Sequence, residues 1–465
     1  MTSPGTQTTN RQLFGTDGIR GVAGEYPLNP ATVFAIGRAL GSRLKRANAN
    51  ARVVFGQDTR ESSAWISETL ARGLQESGVG IASAGILTTP GVAYLTRTHG
   101  FAAGIVVSAS HNPWQDNGIK LFGPDGMKLA DAIEHEIEGE IFAHLSELSG
   151  SHGEPTKDSS DVLPGDQHLR EDYISWLLTN VDLGALRGMR VLVDCANGAA
   201  TSAAPELFRR AGIEAEYLHV HPDGRNINTG CGALHPEHVA QQVGAANGHY
   251  ALGITFDGDA DRALFSDANG RVVNGDAVML LAARDMKERG LLTKNTVVAT
   301  TMSNMGLEKA LQNSDIQMLR ANVGDKYVLE QMLKTGAKLG GEQSGHILLM
   351  DGDSTTGDGL LTALRVLDVV ARSKKQLHEL VADLKEFPQL IRNVKVREKP
   401  PIDQLPMVSE TIKAAEAELD GNGRVVVRYS GTEKLARVMI EAESEALTRK
   451  HVDAIATALQ AEIGA

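Results

Sequence analysis

Cysteine is scarce in this chain: 465 residues hold two, Cys195 and Cys231, in no CxxC spacing. That excludes a disulfide framework and argues against a cysteine-based structural zinc site, so both thiols are expected to be reduced. Aromatic residues make up only 4% while glycine reaches 49, a balance that favours many tight loops over an aromatic-rich binding surface. Positive charge is also in deficit, with a formal net charge of -12. Nonspecific nucleic-acid binding is therefore not expected, and any anion site must be built from locally gathered Arg and Lys. No apolar run approaches the roughly 18 residues of a membrane span. Residues 1–10 are polar and lack the apolar segment of a signal peptide. A cytoplasmic protein without a membrane or nucleic-acid partner is expected. Walker A, GxGxxG and HExxH patterns are all missing, and His135-Glu136 and His378-Glu379 lack the second histidine.

What is present reads as an ordinary soluble composition, 42% hydrophobic and 22% charged, in a chain long enough for three or four domains of ~100–150 residues. Apolar runs alternate with helical periodicity. A Gly-punctuated loop over 13–21 precedes a helix (30–46), a strand (52–57), a helix (62–76), a strand (79–86) and an apolar strand ending at Val107. Helices at 170–181, 205–211 and 236–246 alternate with strands at 190–195, 214–220 and 251–256 in a second stretch. A third holds helices at 276–289, 306–312, 326–334 and 357–371 and strands at 296–301 and 316–322. Such alternation implies mainly parallel sheets with helical covers, and ligand sites beyond the carboxyl ends of strands. The expected fold is α/β: three topologically similar mixed-sheet domains plus a smaller C-terminal α+β domain, around a central cleft. The boundaries expected are 1–165, 166–268, 269–388 and 389–465. Residues 146–168 and the stretch from Lys395 to Pro406, with Pro400-Pro401, read as linkers.

Four motifs carry the chemistry. Val107-Ser-Ala-Ser-His-Asn-Pro113 presents a hydroxyl on a stiff turn at a strand end, with Lys120 following in Asp116-Asn-Gly-Ile-Lys120. Taken alone, Ser108, Ser110 and Asn112 would more often be satisfying turn hydrogen bonds, and spacing does not choose between the two serines. Asp257, Asp259 and Asp261 place three carboxylates in five residues. An EF-hand would need Gly and Glu where Arg262 and Ala268 stand, so that reading fails. If the three carboxylates converge they need a cation, and hard oxygen donors suit Mg2+; the alternative is a solvated acidic loop. Arg428-Tyr-Ser430-Gly431-Thr432, with Arg437 nearby, has the composition of a phosphate cradle, although Ser430-x-x-Glu433 also matches a capping box. Gly340 to His346 gathers Glu342, Ser344 and His346, polar groups suited to sugar hydroxyls or to a plain polar loop.

Together, and in this order, these motifs resemble the α-D-phosphohexomutase superfamily across nearly the whole chain. The resemblance rests on Phe14-Gly-Thr-Asp-Gly-Ile-Arg-Gly21, Ser108-Ala-Ser-His-Asn-Pro113, Asp116-Asn-Gly-Ile-Lys120, Asp194-Cys-Ala-Asn-Gly-Ala199, Phe256-Asp-Gly-Asp-Ala-Asp-Arg262, Gly341-Glu-Gln-Ser-Gly-His346, Thr356-Gly-Asp-Gly-Leu360 and Arg428-Tyr-Ser-Gly-Thr-Glu433. It implies that Ser110 carries a phosphoryl group, and that Ser110, Asp257, Asp259 and Asp261 hold one Mg2+. Glu342 and Ser344 would grip sugar hydroxyls. Arg428, Ser430, Gly431, Thr432 and Arg437 would hold the phosphate that is not reacting. Arg20, Lys120, Arg262 and His346 would surround the reacting end, with Lys120 transferring the proton at a pKa lowered by neighbouring cations. The implied reaction interconverts glucosamine 6-phosphate and glucosamine 1-phosphate through a bisphosphorylated sugar, supplying amino-sugar nucleotide precursors of a bacterial envelope. Glucose or mannose phosphates are the alternative substrates. The implied partner is a phosphorylated hexosamine, and a homodimer is compatible with the chain. Tyr429 and Lys434 stand where the family usually has, or often has, proline, which implies a less rigid phosphate loop.

Overall fold

The computed structural model describes residues 13–15, 17–149, 163–430 and 434–465. They divide into two compact units. The first combines the described residues up to Met302 with Met318–Val381; the second combines Ser303–Gln317 with Ala382–Ala465.

The first unit contains three sheets that repeat one plan. The first sheet has six strands in the spatial order Phe14–Gly15, Gly18–Val22, Asp116–Phe122, Ala103–Val107, Arg52–Gln57 and Gly80–Ile86. The last three run parallel, and Asp116–Phe122 returns antiparallel to Ala103–Val107 with Val107 opposite Ile119. The second sheet orders Val272–Val273, Ala263–Asp267, Leu252–Phe256, Arg190–Asp194 and Glu214–Leu218. Leu252–Phe256 is parallel to Arg190–Asp194 and is followed by antiparallel Ala263–Asp267, with Phe256 opposite Ala263. In the third sheet, Leu339–Gly341 is parallel to Thr296–Thr300 and is followed by antiparallel Ile347–Leu349, with Gly341 opposite Ile347. Each sheet thus contains a parallel strand that turns and comes back antiparallel. The serine, aspartate and glutamate motifs occupy those three turns.

Local chemistry explains the framework. Ala103–Val107 is buried at every position, the pattern of a strand covered on both faces. Helix Pro30–Ala47 begins with proline, where a missing N–H costs nothing. Asn29 caps it by accepting from the Thr32 N–H, and Lys45 and Arg46 lie in its last turn, where the dipole favours cations. Its buried Val33, Ile36 and Leu40 join Val53, Phe55, Ile105 and Val107 in one core. Each such side chain contributes about 1.5–3 kcal/mol by leaving water.

Some elements differ from the sequence expectation. The Gly-punctuated segment over 13–21 forms two strands rather than a loop, because Gly18–Val22 pairs with Asp116–Phe122. Helices Thr89–Thr98 and Asp131–Ser149 had no counterpart in the expectation, and the second occupies the start of the 146–168 stretch read as a linker. Residues 150–162 of that stretch lie outside the described residues.

In the second unit, Leu435–Ala442 lies between Gln389–Lys395 and Gly423–Tyr429, antiparallel to both. Helices Pro406–Leu419 and Glu445–Ile463 supply Val408, Ala415, Val452, Ile455 and Leu459 to its core. The stretch from Lys395 to Pro406 is not a free tether. Val396 bridges Gly464, and Val396 and Leu405 are buried in this same core. Among the described residues, no helix is long and apolar enough to cross a membrane.

Candidate active site

The Ser110 turn adopts an unusual backbone: Ser110 has φ of +52°, a region side-chain-bearing residues enter at a cost. Its Oγ donates to Asp257 Oδ2 at 2.6 Å and lies 3.2 Å from His111 Nδ1. Ser108 differs. Its Oγ donates to Asp58 Oδ2 at 2.7 Å and accepts from the Ser110 N–H at 3.0 Å, and the residue is wholly buried. Of the two serines, only Ser110 lines the neighbouring cleft of about 420 Å3, where it is joined by Arg20, Asp261, Arg262, Glu342 and His346. The surroundings of the two hydroxyls therefore differ, which spacing alone does not show.

The aspartate loop converges. One carboxylate oxygen from each of Asp257, Asp259 and Asp261 lies within 4.8 Å of the others, and all three residues are buried. The solvated-loop reading fails. Asp257 is pushed well above the usual carboxylate range by burial and then by Asp261 and Asp259. Asp261 is held low despite burial, because Lys120, His346 and Arg262 face it. Asp259 Oδ1 and Asp261 Oδ1 are buried without a hydrogen-bond donor. Buried, unsatisfied, hard oxygen atoms in a cluster of three suit Mg2+, which usually completes its shell from water and phosphate. The loop reaches the serine through Gly258: a Cβ there would stand 2.4 Å from the Ser110 carbonyl oxygen.

Lys120 corrects one expectation. Its pKa is raised well above the usual lysine value, not lowered. Burial alone would lower it, but Asp17, Asp259 and Asp261 outweigh both burial and Arg20. Nζ lies 2.7 Å from Asp259 Oδ2 and 3.3 Å from both Asp261 Oδ2 and Asp17 Oδ2. The sequence displays nearby cations, but two of these carboxylates arrive from a loop 139 and 141 positions away.

Arg20 pairs with Asp17. Arg262 donates its backbone N–H to Asp257 Oδ1 at 3.2 Å and forms an isolated β-bridge with His346, which ties the second turn to the third. His346 is buried, its Nε2 3.7 Å from Asp325 Oδ2, and neither ring nitrogen has a hydrogen bond. Glu342 Oε1 accepts from the Gly324 N–H at 3.0 Å, and Ser344 Oγ lies 3.3 Å from Glu342 Oε2. Ser344 is exposed and Glu342 half-buried. The first unit thus gathers Ser110, Lys120, Arg20, Arg262, His346, Glu342, Ser344 and the three aspartates around the same turns.

Sequence reasoning missed Lys128 and Asp325 and gave Asp17 no role. Lys128 Nζ contacts Asp17 and lies 2.5 Å from Asp325 Oδ2. Asp17 is held well below the usual range, against burial, by Lys120, Lys128 and Arg20. Asp17 stands inside the Phe14–Gly21 motif, which was the available signal; Lys128 had none. Both cysteines are free and buried; burial pushes Cys231 up to about 12 and Cys195 higher than its ordinary value, so neither is a ready thiolate.

In the second unit, Arg428 and Arg437 stand directly opposite each other in the antiparallel ladder. Two guanidinium groups in that register suit a phosphate. The Ser430 N–H donates to the Leu435 carbonyl at 2.8 Å, and Lys399 Nζ donates to the Ser430 carbonyl at 2.6 Å. Gly431 and Thr432 lie outside the described residues. Tyr429 takes a ladder position opposite Ala436 and packs against the core.

Comparison with known proteins gives the class first. Four family models match in order: phosphoglucomutase/phosphomannomutase α/β/α domain I over residues 11–147, domain II over 171–270, domain III over 274–387, and the C-terminal domain over 392–458. The phosphoglucosamine mutase of Koribacter versatilis (strain Ellin345) is 66% identical over 464 residues, covering 100% of both chains. That of Solibacter usitatus (strain Ellin6076) is 48% identical, covering 98% of this chain and 99% of the relative. The structure of a phosphoglucomutase/phosphomannomutase family protein from Burkholderia thailandensis superposes with a TM-score of 0.76 at 24% identity, covering 96% of this chain and 97% of that one. The chain belongs to the phosphoglucosamine mutases, within the phosphoglucomutase/phosphomannomutase family.

Proposed function

We propose that the first unit's site works through a phosphorylated Ser110. The chain is an isomerase that interconverts glucosamine 6-phosphate and glucosamine 1-phosphate, an assignment supported by relatives of that name over its full length. One observation carries the serine assignment: Ser110 Oγ faces the cleft and Asp257, while the Ser108 hydroxyl is consumed inside the turn.

In the forward direction the Ser110 Oγ–P bond breaks as a bond forms between phosphorus and the sugar O1. Lys120, held protonated by its carboxylate neighbours, gives its proton to Ser110 Oγ as that oxygen leaves and regains one from the sugar hydroxyl. After the bisphosphate turns over in the cleft, Ser110 Oγ takes back the 6-phosphoryl group and its proton passes to O6. Phosphoryl transfer asks mainly for alignment and charge neutralisation. Arg20, Arg262 and His346 meet the reacting phosphate. Glu342 and Ser344 hold sugar hydroxyls in either orientation. In the second unit, Arg428, Ser430, Gly431, Thr432 and Arg437 would bind a phosphate group. Asp257, Asp259, Asp261 and Ser110 would hold Mg2+, which when bound offsets the phosphoryl charge. The domains would divide as 1–165, 166–268, 269–388 and 389–465. The product would serve as precursor for an envelope amino-sugar nucleotide.

A coupled assay offering glucosamine, glucose and mannose 6-phosphates tests the substrate. Highest kcat/KM for glucosamine 6-phosphate is expected; a preference for glucose or mannose would move the chain to a different activity in the superfamily. Intact mass tests the intermediate: a gain of one phosphoryl group that Ser110→Ala abolishes is expected. Release of inorganic phosphate without isomer formation would replace the mutase reading with a phosphatase.

A further inference from the structure

The Ser110 turn is held from outside by a side chain that contributes no atom to the reaction. Arg60 caps the start of helix Glu61–Glu76, and its side chain is fully covered. A guanidinium offers five N–H donors. Here Nε donates to Asp58 Oδ2 at 2.8 Å. Nη2 donates to the carbonyls of Ser110 at 3.0 Å and Asn112 at 2.9 Å. Nη1 donates to the carbonyls of Asp116 at 2.9 Å and of Pro113. Every donor is engaged, four of them along one short stretch, so none is left for a phosphate.

The seat of this arginine is equally complete. Asp58 Oδ1 accepts from the Arg60 N–H at 3.0 Å and from Ser63 Oγ at 2.7 Å, and Oδ2 accepts from Ser108 Oγ at 2.7 Å. From the second sheet's side, Asn228 Nδ2 donates to the carbonyls of Ser110 at 2.9 Å and Asn112 at 3.1 Å. The Ser110 N–H is held by Ser108 Oγ. Both backbone groups of Ser110 are therefore fixed from three directions while φ stays at +52°. Unfavourable backbone conformations persist where the surroundings over-determine them.

We propose that Arg60, seated by Asp58 and assisted by Asn228, is a positioning residue for phosphoryl transfer. It keeps Ser110 in its left-handed conformation, so that Oγ presents the same line of attack in both half-reactions. The proposal rests on the phosphoserine reading above. A lysine cannot substitute, because a compact ammonium with three donors lacks the planar fork that spans four carbonyls.

The test uses the full chain with Arg60→Lys and, separately, Asn228→Ala, and glucose 1,6-bisphosphate as phosphoryl source. Measured are kcat and KM for glucosamine 6-phosphate, phosphoserine occupancy by intact mass, the rate of phosphoserine loss to water, and the melting curve. For Arg60→Lys, kcat should fall by about 100-fold, the scale of a ~1 Å misplacement, while KM stays within about threefold. Hydrolysis of the phosphoserine should gain relative to transfer. For Asn228→Ala, kcat should fall by about tenfold on the same argument; if Arg60→Lys does not fold, this variant decides alone. Turnover that falls only in proportion to the folded fraction, with an unchanged hydrolysis-to-transfer ratio, overturns the positioning role. Wild-type protein that takes up no phosphate at Ser110 overturns the phosphoserine reading itself; uptake and turnover in both variants at the wild-type level overturns only the inference about Arg60.

Discussion

Two strand pairs in this molecule have proposed duties toward phosphate, and their described residues follow opposite plans. The turn between Ala103–Val107 and Asp116–Phe122 is saturated with hydrogen bonds: its serine backbone is tied at both ends and a buried arginine spans four of its carbonyls. The hairpin of Gly423–Tyr429 and Leu435–Ala442 instead sets Arg428 opposite Arg437 across its ladder, a pair of guanidinium groups suited to an anion. Making and breaking a bond to one oxygen demands position; retaining a whole phosphate group demands charge. The first turn sacrifices conformational freedom, and the second strand pair gathers positive charge.

Mutations can break that contrast. Ser110→Ala should produce the largest effect, a loss of kcat on the order of 10^4-fold or more, as expected when a covalent nucleophile is removed; retention of near wild-type turnover would eliminate the covalent route. Arg428→Ala should act on binding, raising KM by about 10- to 100-fold, equivalent to one charged hydrogen bond of roughly 1.5–3 kcal/mol. If kcat falls as steeply as kcat/KM, the second hairpin serves the transition state and the division of duties is wrong. Ser108→Ala should lower stability by about 1–3 kcal/mol by leaving the Ser110 N–H and Asp58 short of a partner, as read from denaturation midpoints, while phosphoserine still forms. Arg437→Ala should have the smallest and most diagnostic effect. It should raise KM by about 2- to 10-fold with kcat unchanged, the worth of a hydrogen bond of about 0.5–1.5 kcal/mol, as read from steady-state kinetics.

The sequence makes the framework legible where chemistry is local. Pro30 with Asn29 marks a helix start, and the apolar run to Val107 marks a strand buried on both faces. The first strands were hidden because Gly15, Gly18 and Gly21 look like loop residues; their structure comes from pairing with Asn117 and Ile119, far along the chain. The same separation hid the electrostatics of Lys120, whose partners Asp259 and Asp261 are invisible to local reading. Arg60 escaped notice because a buried cation has no periodic signature; its partners are main-chain carbonyls, which every residue has. The three aspartates were readable because they lie within five positions, and convergence needed only one turn.

The division of the chain has a practical consequence for anyone who cuts it. Helix Met305–Gln312 belongs to the second compact unit although the chain returns to the first after it. Gly306 packs so closely on the Lys385 carbonyl that an added Cβ would stand 2.0 Å from its oxygen, and Asn304 exchanges hydrogen bonds with the backbone of Phe387. A protease nick or a stop codon after Val381 therefore does not release a tidy C-terminal module. It leaves helix Met305–Gln312 without the Lys385 and Phe387 backbone that Gly306 and Asn304 pack on.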